Sequence, residues 1–362
     1  MAKGFFRRVA IRCSACLLAL LLLSATYAAA ATQPEFVIRF GWIDPLDPAD
    51  PMKQFTSAYA VSFKTQLEML SGERIRVDLY PSAQLGDHRS SIEQMAGDTL
   101  EMCNVNLGVL ASLYYDKLSV LNMPFLFTSR AHANRTLSFK NDFMREMVEE
   151  CAEECNIRLI AIMAAGPRIF ANNIRPLRAP ADLKGIKMRT MEVVPHIIMV
   201  EALGGIPTPM PMTEVYTSLQ TRVIDGEDQM LQNLEAAKHY QVVKYVSLTN
   251  HVMDVSGTAM SDKFYRRLPE DLRAALIEAD QVAQASYHAV GTVYDYTGPE
   301  RLKGLGMEVN YITPEAREQF KSIALPAVRK KVEEDVGPEF VAKFLQEVDK
   351  AQRSFLDDAK VK

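Results

Sequence analysis

A chain of 362 residues with 41 Lys and Arg against 45 Asp and Glu carries a formal net charge of −4, its two signs interspersed. That balance gives no basic footprint for nucleic acid, and no stretch beyond the first 31 residues is apolar for long enough to span a bilayer. Five cysteines do not make a disulfide-built fold at this length, whereas about 330 residues after the N-terminal segment suffice for two lobes with separate cores.

The first 31 residues read as an address. Lys3, Arg7, Arg8 and Arg12 precede an apolar run over 13–25 and a small-residue tract over 28–31. Basic head, short apolar centre and A-x-A exit describe a secretory signal peptide, and cleavage after Ala30 or Ala31 fits equally well. The rival reading is an uncleaved anchor, since residues 13–31 approach spanning length. The alanine tract and the lack of a second span favour cleavage and a periplasmic product. Because the segment holds four cations and no acid, its removal moves the net charge from −4 to −8. Cys103, Cys151 and Cys155 then remain. The C-A-E-E-C pair lies one helical turn apart, where a bridge strains the backbone, and no structural disulfide is expected. Metal binding is not expected either, since no second pair lies at ligand spacing.

Strands and helices then alternate. Strands are predicted over 36–42, 75–80 and 100–105, and helices over 52–70 and 90–96. One helix from about 131 to 154 leads to a buried strand, 157–163. Such β-α-β runs build a mostly parallel sheet covered by helices. Pro269 begins a long helix with Leu272, Leu276, Val282 and Tyr287 along one face. Thr313 and Pro314 open another, with breaks expected at Pro326 and at Gly337-Pro338.

Loops that follow strand ends in an α/β sheet face the ligand crevice. Here they are 42–50, 82–89, 104–107 and 210–212. The first carries Asp44, Asp47 and Asp50, spaced by prolines and unlike an EF-hand. Arg168 and Arg189 sit in short apolar segments that read as strands. An arginine half-buried there needs an anion, and its planar fork suits a carboxylate. That anion is either a ligand's or the protein's own. Enzyme readings find little support: G-x-S-x-G, H-E-x-x-H, P-loop and G-x-G-x-x-G motifs are all absent from the sequence, and the six histidines lack metal-ligand spacing. Only His88 falls on a presumed crevice loop.

The stretch 164–232 carries G-P-R before Asn172 and Asn173, then D-L-K-G-I-K-M-R, L-G-G-I-P-T-P-M, E-V-Y-T-S-L-Q-T and V-I-D-G. Upstream stand Y-P-S-A-Q-L-G-D and M-P-F-L-F. In this order the motifs resemble the DctP-type solute receptors of tripartite ATP-independent periplasmic (TRAP) transporters, across nearly all of the mature chain. The resemblance implies a two-lobed α/β fold, periplasmic-binding-protein-like, with interleaved lobes and long C-terminal helices. Lobe I would comprise 35–164 plus 255–294, lobe II 165–254 plus 295–335, and a C-terminal helix 336–362.

By the same resemblance Arg189 clamps a ligand carboxylate, Arg168 adds a second cationic contact, and Gln229 and Asn106 reach the ligand from opposite lobes. Met212, with Met210, supplies an adaptable wall. Asp44 and Asn172 complete the expected set as hydroxyl partners. Val109 stands where sialic-acid receptors carry a further arginine, which argues against that ligand. Some relatives hold a metal ion near the position of Asp228; here neither metal nor cofactor is expected. The function implied is a monomeric, non-enzymatic periplasmic receptor that passes an organic acid anion to a TRAP permease. A sugar acid or a 2-oxo or hydroxy acid fits these amides and acids better than a C4-dicarboxylate does. The alternatives are a carboxylate-processing periplasmic enzyme, or a receptor feeding an ABC importer or a sensor kinase.

Overall fold

The computed structural model describes residues 33–360, with side chains through 354. The expected signal peptide lies outside the described residues. Among these residues no helix is long and apolar enough to cross a membrane.

One nine-stranded sheet runs through the molecule in the order β2-β1-β3-β8-β4-β7-β5-β6, with β9 beside β8. Its strands are β1 (Phe36–Gly41), β2 (Ile75–Tyr80), β3 (Met102–Asn106), β4 (Ile157–Asn172), β5 (Lys187–Thr190), β6 (Ile206–Pro209), β7 (Gly226–Met230), β8 (Tyr245–Ser261) and β9 (Glu308–Tyr311). The βαβ reading holds at both ends, where β1 pairs in parallel with β2 and β3, and β5 with β6 and β7. The centre departs from the expected mostly parallel sheet. There β4 and β8 pair antiparallel with each other, and each is antiparallel to its other long-sheet neighbour.

These central strands are 16 and 17 residues long, because Ile157–Met163 does not stop at the end of its apolar run but continues through G-P-R. Register shifts between Leu159 and Ala161, Ala164 and Gly166, and Arg168 and Phe170 let the paired strands bend as they pass from one half of the sheet to the other. At the middle shift the buried Arg130 donates to the carbonyl oxygens of Ala164 and Ala165 and pairs with Asp295 at 2.8 Å. Gly166 there has φ +149°, and a Cβ would meet the Arg130 guanidinium at 3.1 Å.

The helices cover both faces. Helix Glu270–Gly304 lies along helix Phe55–Leu70, where Phe55 and Tyr287 rings meet at 4.7 Å and the Tyr59 hydroxyl donates to Asp280 at 2.6 Å. Its inward face is Leu272, Leu276, Ala279, Ala283 and Tyr287; Val282, expected there, is 40% exposed. The single helix expected over 131–154 is two, Arg130–Thr136 and Asp142–Cys155, because Asn141 caps the second by accepting from Phe143 N. Conversely, Pro326 does not break its helix, which runs Pro314–Val336 and ends where Gly337 takes φ +86°. Among the described residues Cys103, Cys151 and Cys155 are buried free thiols.

Candidate functional site

A cleft with about 740 Å³ of atom-free space, its mouth included, opens where strand ends from both halves of the sheet converge. All four predicted crevice loops wall it, through Asp44, His88, Asn104, Asn106, Met210 and Met212 among others. Arg168, Arg189, Gln229 and Asp254 line it from the strands. The cleft thus gathers six of the seven expected ligand residues. Asn172 is elsewhere: fully buried at the end of β4, its Oδ1 accepts from the backbone N–H of Ile174 and Arg175 and builds a turn.

The two arginines differ in a way the motifs do not show. Asp228 lies diagonally opposite Arg168 across the β4–β7 pairing, and Asp254 diagonally opposite across β4–β8. Arg168 Nε donates to Asp228 Oδ1 at 2.7 Å, Nη1 to Asp254 Oδ2 at 3.0 Å, and Nη2 to the Asp228 carbonyl. Burial opposes its charge, but the two carboxylates outweigh this and raise its pKa. Asp228 also receives His196 Nδ1 at 2.8 Å and His251 Nε2 at 3.0 Å. Burial alone would raise its pKa; Arg168 and the imidazoles instead hold it well below the usual carboxylate range. Both oxygens of Asp228 are thus engaged within the protein.

Arg189 is 2% exposed and, among the described residues, has no carboxylate within ion-pair distance. Its Nε and Nη2 both donate to the single carbonyl of Met210, at 3.0 and 2.9 Å. Burial, then the neighbouring Arg168, pull its pKa down to about 10. It is still protonated at neutral pH, a buried cation lacking the anion that its fork fits.

The remaining polar groups divide into those already engaged and those open to a ligand. Asn106 caps helix Leu107–Leu113 through Oδ1 and donates Nδ2 to Asp254 at 2.7 Å. Gln229 Oε1 accepts from Met230 N and Asn233 Nδ2, and its Nε2 lies 3.1 Å from Met212 Sδ. In contrast, Asn104 Nδ2, His88 Nδ1 and Asn233 Oδ1 are buried without a hydrogen-bond partner. Burial, opposed by Asp254 and Asp87, pushes His88 down to about 4, so the ring is neutral. Asp44 is half-buried, accepts from Thr56 Oγ1 at 3.1 Å, and is pushed up to about 6 by burial. Ile43, Phe55, Val109, Met191 and Met230 form the apolar wall with Met210 and Met212. Arg89 and Glu192 meet at 3.8 Å and join helix His88–Ala96 to the segment after β5. Motif reading missed Asp254, Asn104 and Asn233. An acid set between Val252-Met253 and Val255 in β8 was the available signal for the first.

Comparison with known proteins fits this geometry. The model of the bacterial extracellular solute-binding proteins, family 7 (DctP), matches residues 49–335. A solute-binding protein of Roseobacter denitrificans is 30% identical over 281 residues, 77% of this chain and 83% of that one. The 2,3-diketo-L-gulonate-binding periplasmic protein YiaO of Escherichia coli is 30% identical over 224 residues, 62% of this chain and 67% of that one. Among solved structures, a TRAP periplasmic solute-binding protein of Roseobacter denitrificans with bound L-galactonate superposes with a TM-score of 0.78 at 27% identity, covering 86% of this chain and 99% of the other. The match over most of the length, the shared two-lobed fold and a cleft built around a buried, uncompensated arginine lead to one conclusion: this chain belongs to the DctP family of TRAP solute-binding receptors, which are transport proteins and not enzymes.

Proposed function

We propose that this protein is a periplasmic receptor that closes around an organic acid anion and hands it to the membrane subunits of a TRAP permease. The observation that carries the reading is Arg189, a buried guanidinium at the cleft with no carboxylate of the described residues within ion-pair distance. Holding such a charge out of water is costly unless a ligand carboxylate completes it. Arg168, neutralised by Asp228 and Asp254, fixes the wall against which that carboxylate is held, with Asn106 locking Asp254 in turn. Gln229 and Met212 flank the ligand, while Asn104, His88 and Asn233 supply unsatisfied atoms for oxo and hydroxyl groups.

Among the described residues Arg189 is the one cation of the cleft without an ion-pair partner, and one such cation suits one carboxylate. The ligand is therefore a monocarboxylate, a sugar acid or a 2-oxo or hydroxy acid, in preference to a C4-dicarboxylate. In this reading lobe I is 35–164 plus 255–294 and lobe II is 165–254 plus 295–335; the chain is exported by a cleaved signal peptide and acts as a monomer. Closure would then be a population shift towards the state in which both lobes touch the ligand. A thermal-shift screen of organic and sugar acids tests the proposal, since a ligand at 100 Kd stabilises by about 2.7 kcal/mol. The expected hits are hydroxylated or oxo monocarboxylates; hits confined to uncharged sugars would rule the proposal out.

A further inference from the structure

Among the described residues three charged side chains on the cleft wall lack an ion-pair partner; the charge of Asp87 faces the N-terminus of the helix it caps, which leaves Arg189 and Asp44, of opposite sign. Arg189 comes from β5, in one half of the sheet, and Asp44 from the loop after β1, in the other. Other acids of the wall are engaged: Asp254 by Arg168 and Asn106, Glu192 by Arg89, and Asp87 as the cap of helix His88–Ala96. Even Asp47 of the same loop holds Lys53, at 2.6 Å. Asp44 receives only neutral donors, chiefly the hydroxyl of Thr56, itself 1% exposed and tied to Gln54 at 3.3 Å. Among the described residues no Lys, Arg or His lies within ion-pair distance of Asp44. An uncompensated carboxylate in a half-buried wall weakens the apo protein, so a ligand that uses it must bring a donor.

We propose, resting on the receptor reading above, that Asp44 sets the charge class of the ligand: it accepts a hydroxyl at the end of the bound acid away from Arg189 and excludes a second carboxylate there. The arrangement is one of complementary poles. The acid's single charge meets Arg189, and its far end meets Asp44, whose carboxylate also feels that of Asp254. A dicarboxylate of the same length would bring two negative groups together near Asp44. At about 5 Å and an effective dielectric of about 20, that repulsion amounts to roughly a hundredfold in affinity at pH 8, whereas at pH 7 Asp44, pushed up to about 6, would take up a proton and limit the penalty to about tenfold. Asparagine at 44 keeps the shape and an acceptor oxygen but removes the charge.

Matched pairs that differ only at the terminal carbon make the test direct: D-galactonate against galactarate, and D-erythronate against meso-tartrate, by titration calorimetry at about pH 8 and fixed ionic strength. The wild-type protein should prefer the monocarboxylate of its better pair by roughly a hundredfold. Asp44→Asn should cut that ratio to below about tenfold, mainly by gaining dicarboxylate affinity, without lowering the apo melting temperature. An unchanged ratio in Asp44→Asn, or a wild-type preference for either dicarboxylate, would overturn the role of Asp44 while leaving the anion receptor standing. Tighter binding of 4-aminobutyrate than of 4-hydroxybutyrate would overturn the hydroxyl assignment in favour of a cationic ligand group. Binding of none of these acids by the wild type would overturn the underlying reading, and with it this one, before any variant is made.

Discussion

Arg189→Lys should weaken ligand binding at least tenfold, and Arg189→Met by a further order of magnitude, while Arg189→Met raises the melting temperature of the ligand-free protein. The two effects have one source. Arg189 is 2% exposed, touches no carboxylate, and directs Nε and Nη2 at the carbonyl of Met210. That anchor fixes the guanidinium plane, so the incoming carboxylate meets an oriented fork and not a mobile point charge. Charged hydrogen bonds of this kind contribute about 1.5–3 kcal/mol each, and lysine cannot form the parallel pair. Without ligand, the same charge is a burden that methionine would relieve. Titration calorimetry and thermal melts of the apo protein read the two halves separately. Near wild-type affinity in the lysine variant would remove Arg189 from the ligand.

Arg168→Ala should behave differently, costing the apo protein about 3–5 kcal/mol, because it leaves two carboxylates buried without their cation. Asp228 is fully buried and Asp254 is 3% exposed, so water cannot take the place of the guanidinium. Binding weakens as well, through the disturbed wall. Denaturant melts separate this stability loss from the affinity loss seen with Arg189. Combining Arg168→Ala with Asp254→Asn should cost less than the sum of the single changes, as expected for contacting charges. An apo stability equal to the wild type in Arg168→Ala would show that the ion network does not hold the wall. The network also sets an acid limit. The pKa of Asp228 is depressed on folding, so its contribution is complete above its unfolded value of about 4 and is lost as pH falls towards the folded one.

The local elements of this fold were legible because they rest on local signals. Examples are the apolar run of β1, the apolar alternation of β2, the Pro-led start of helix Glu270–Gly304, and the Gly337-Pro338 stop. What failed depended on partners far away in the chain. Pro326 is tolerated because its helix packs through Phe320, Ala324 and Val328, whose burial outweighs one lost backbone bond. Residues 137–141 read as helix until Asn141 is seen to cap the next one. In the cleft, spacing alone offered Arg168 and Arg189 as equals. Their difference is made by Asp228 and Asp254, 60 and 86 residues beyond Arg168, brought in by antiparallel pairing that no local pattern encodes. Asn172 erred in the other direction: an amide beside a motif arginine belongs to a turn, because β4 ends there.

The two long central strands have a consequence for how this protein comes apart. Where two lobes are joined by slack chain, each can melt on its own, and a calorimetric trace resolves two transitions. Here the connection consists of 16- and 17-residue strands hydrogen-bonded to each other on both sides of the crossing, with Arg130 holding two successive carbonyls at the bend. Neither half of the sheet can unravel without stripping the shared ladder from the other. Loss of order in either lobe should therefore be transmitted to the whole, and calorimetry is expected to show a single transition even though the sheet bends at its centre.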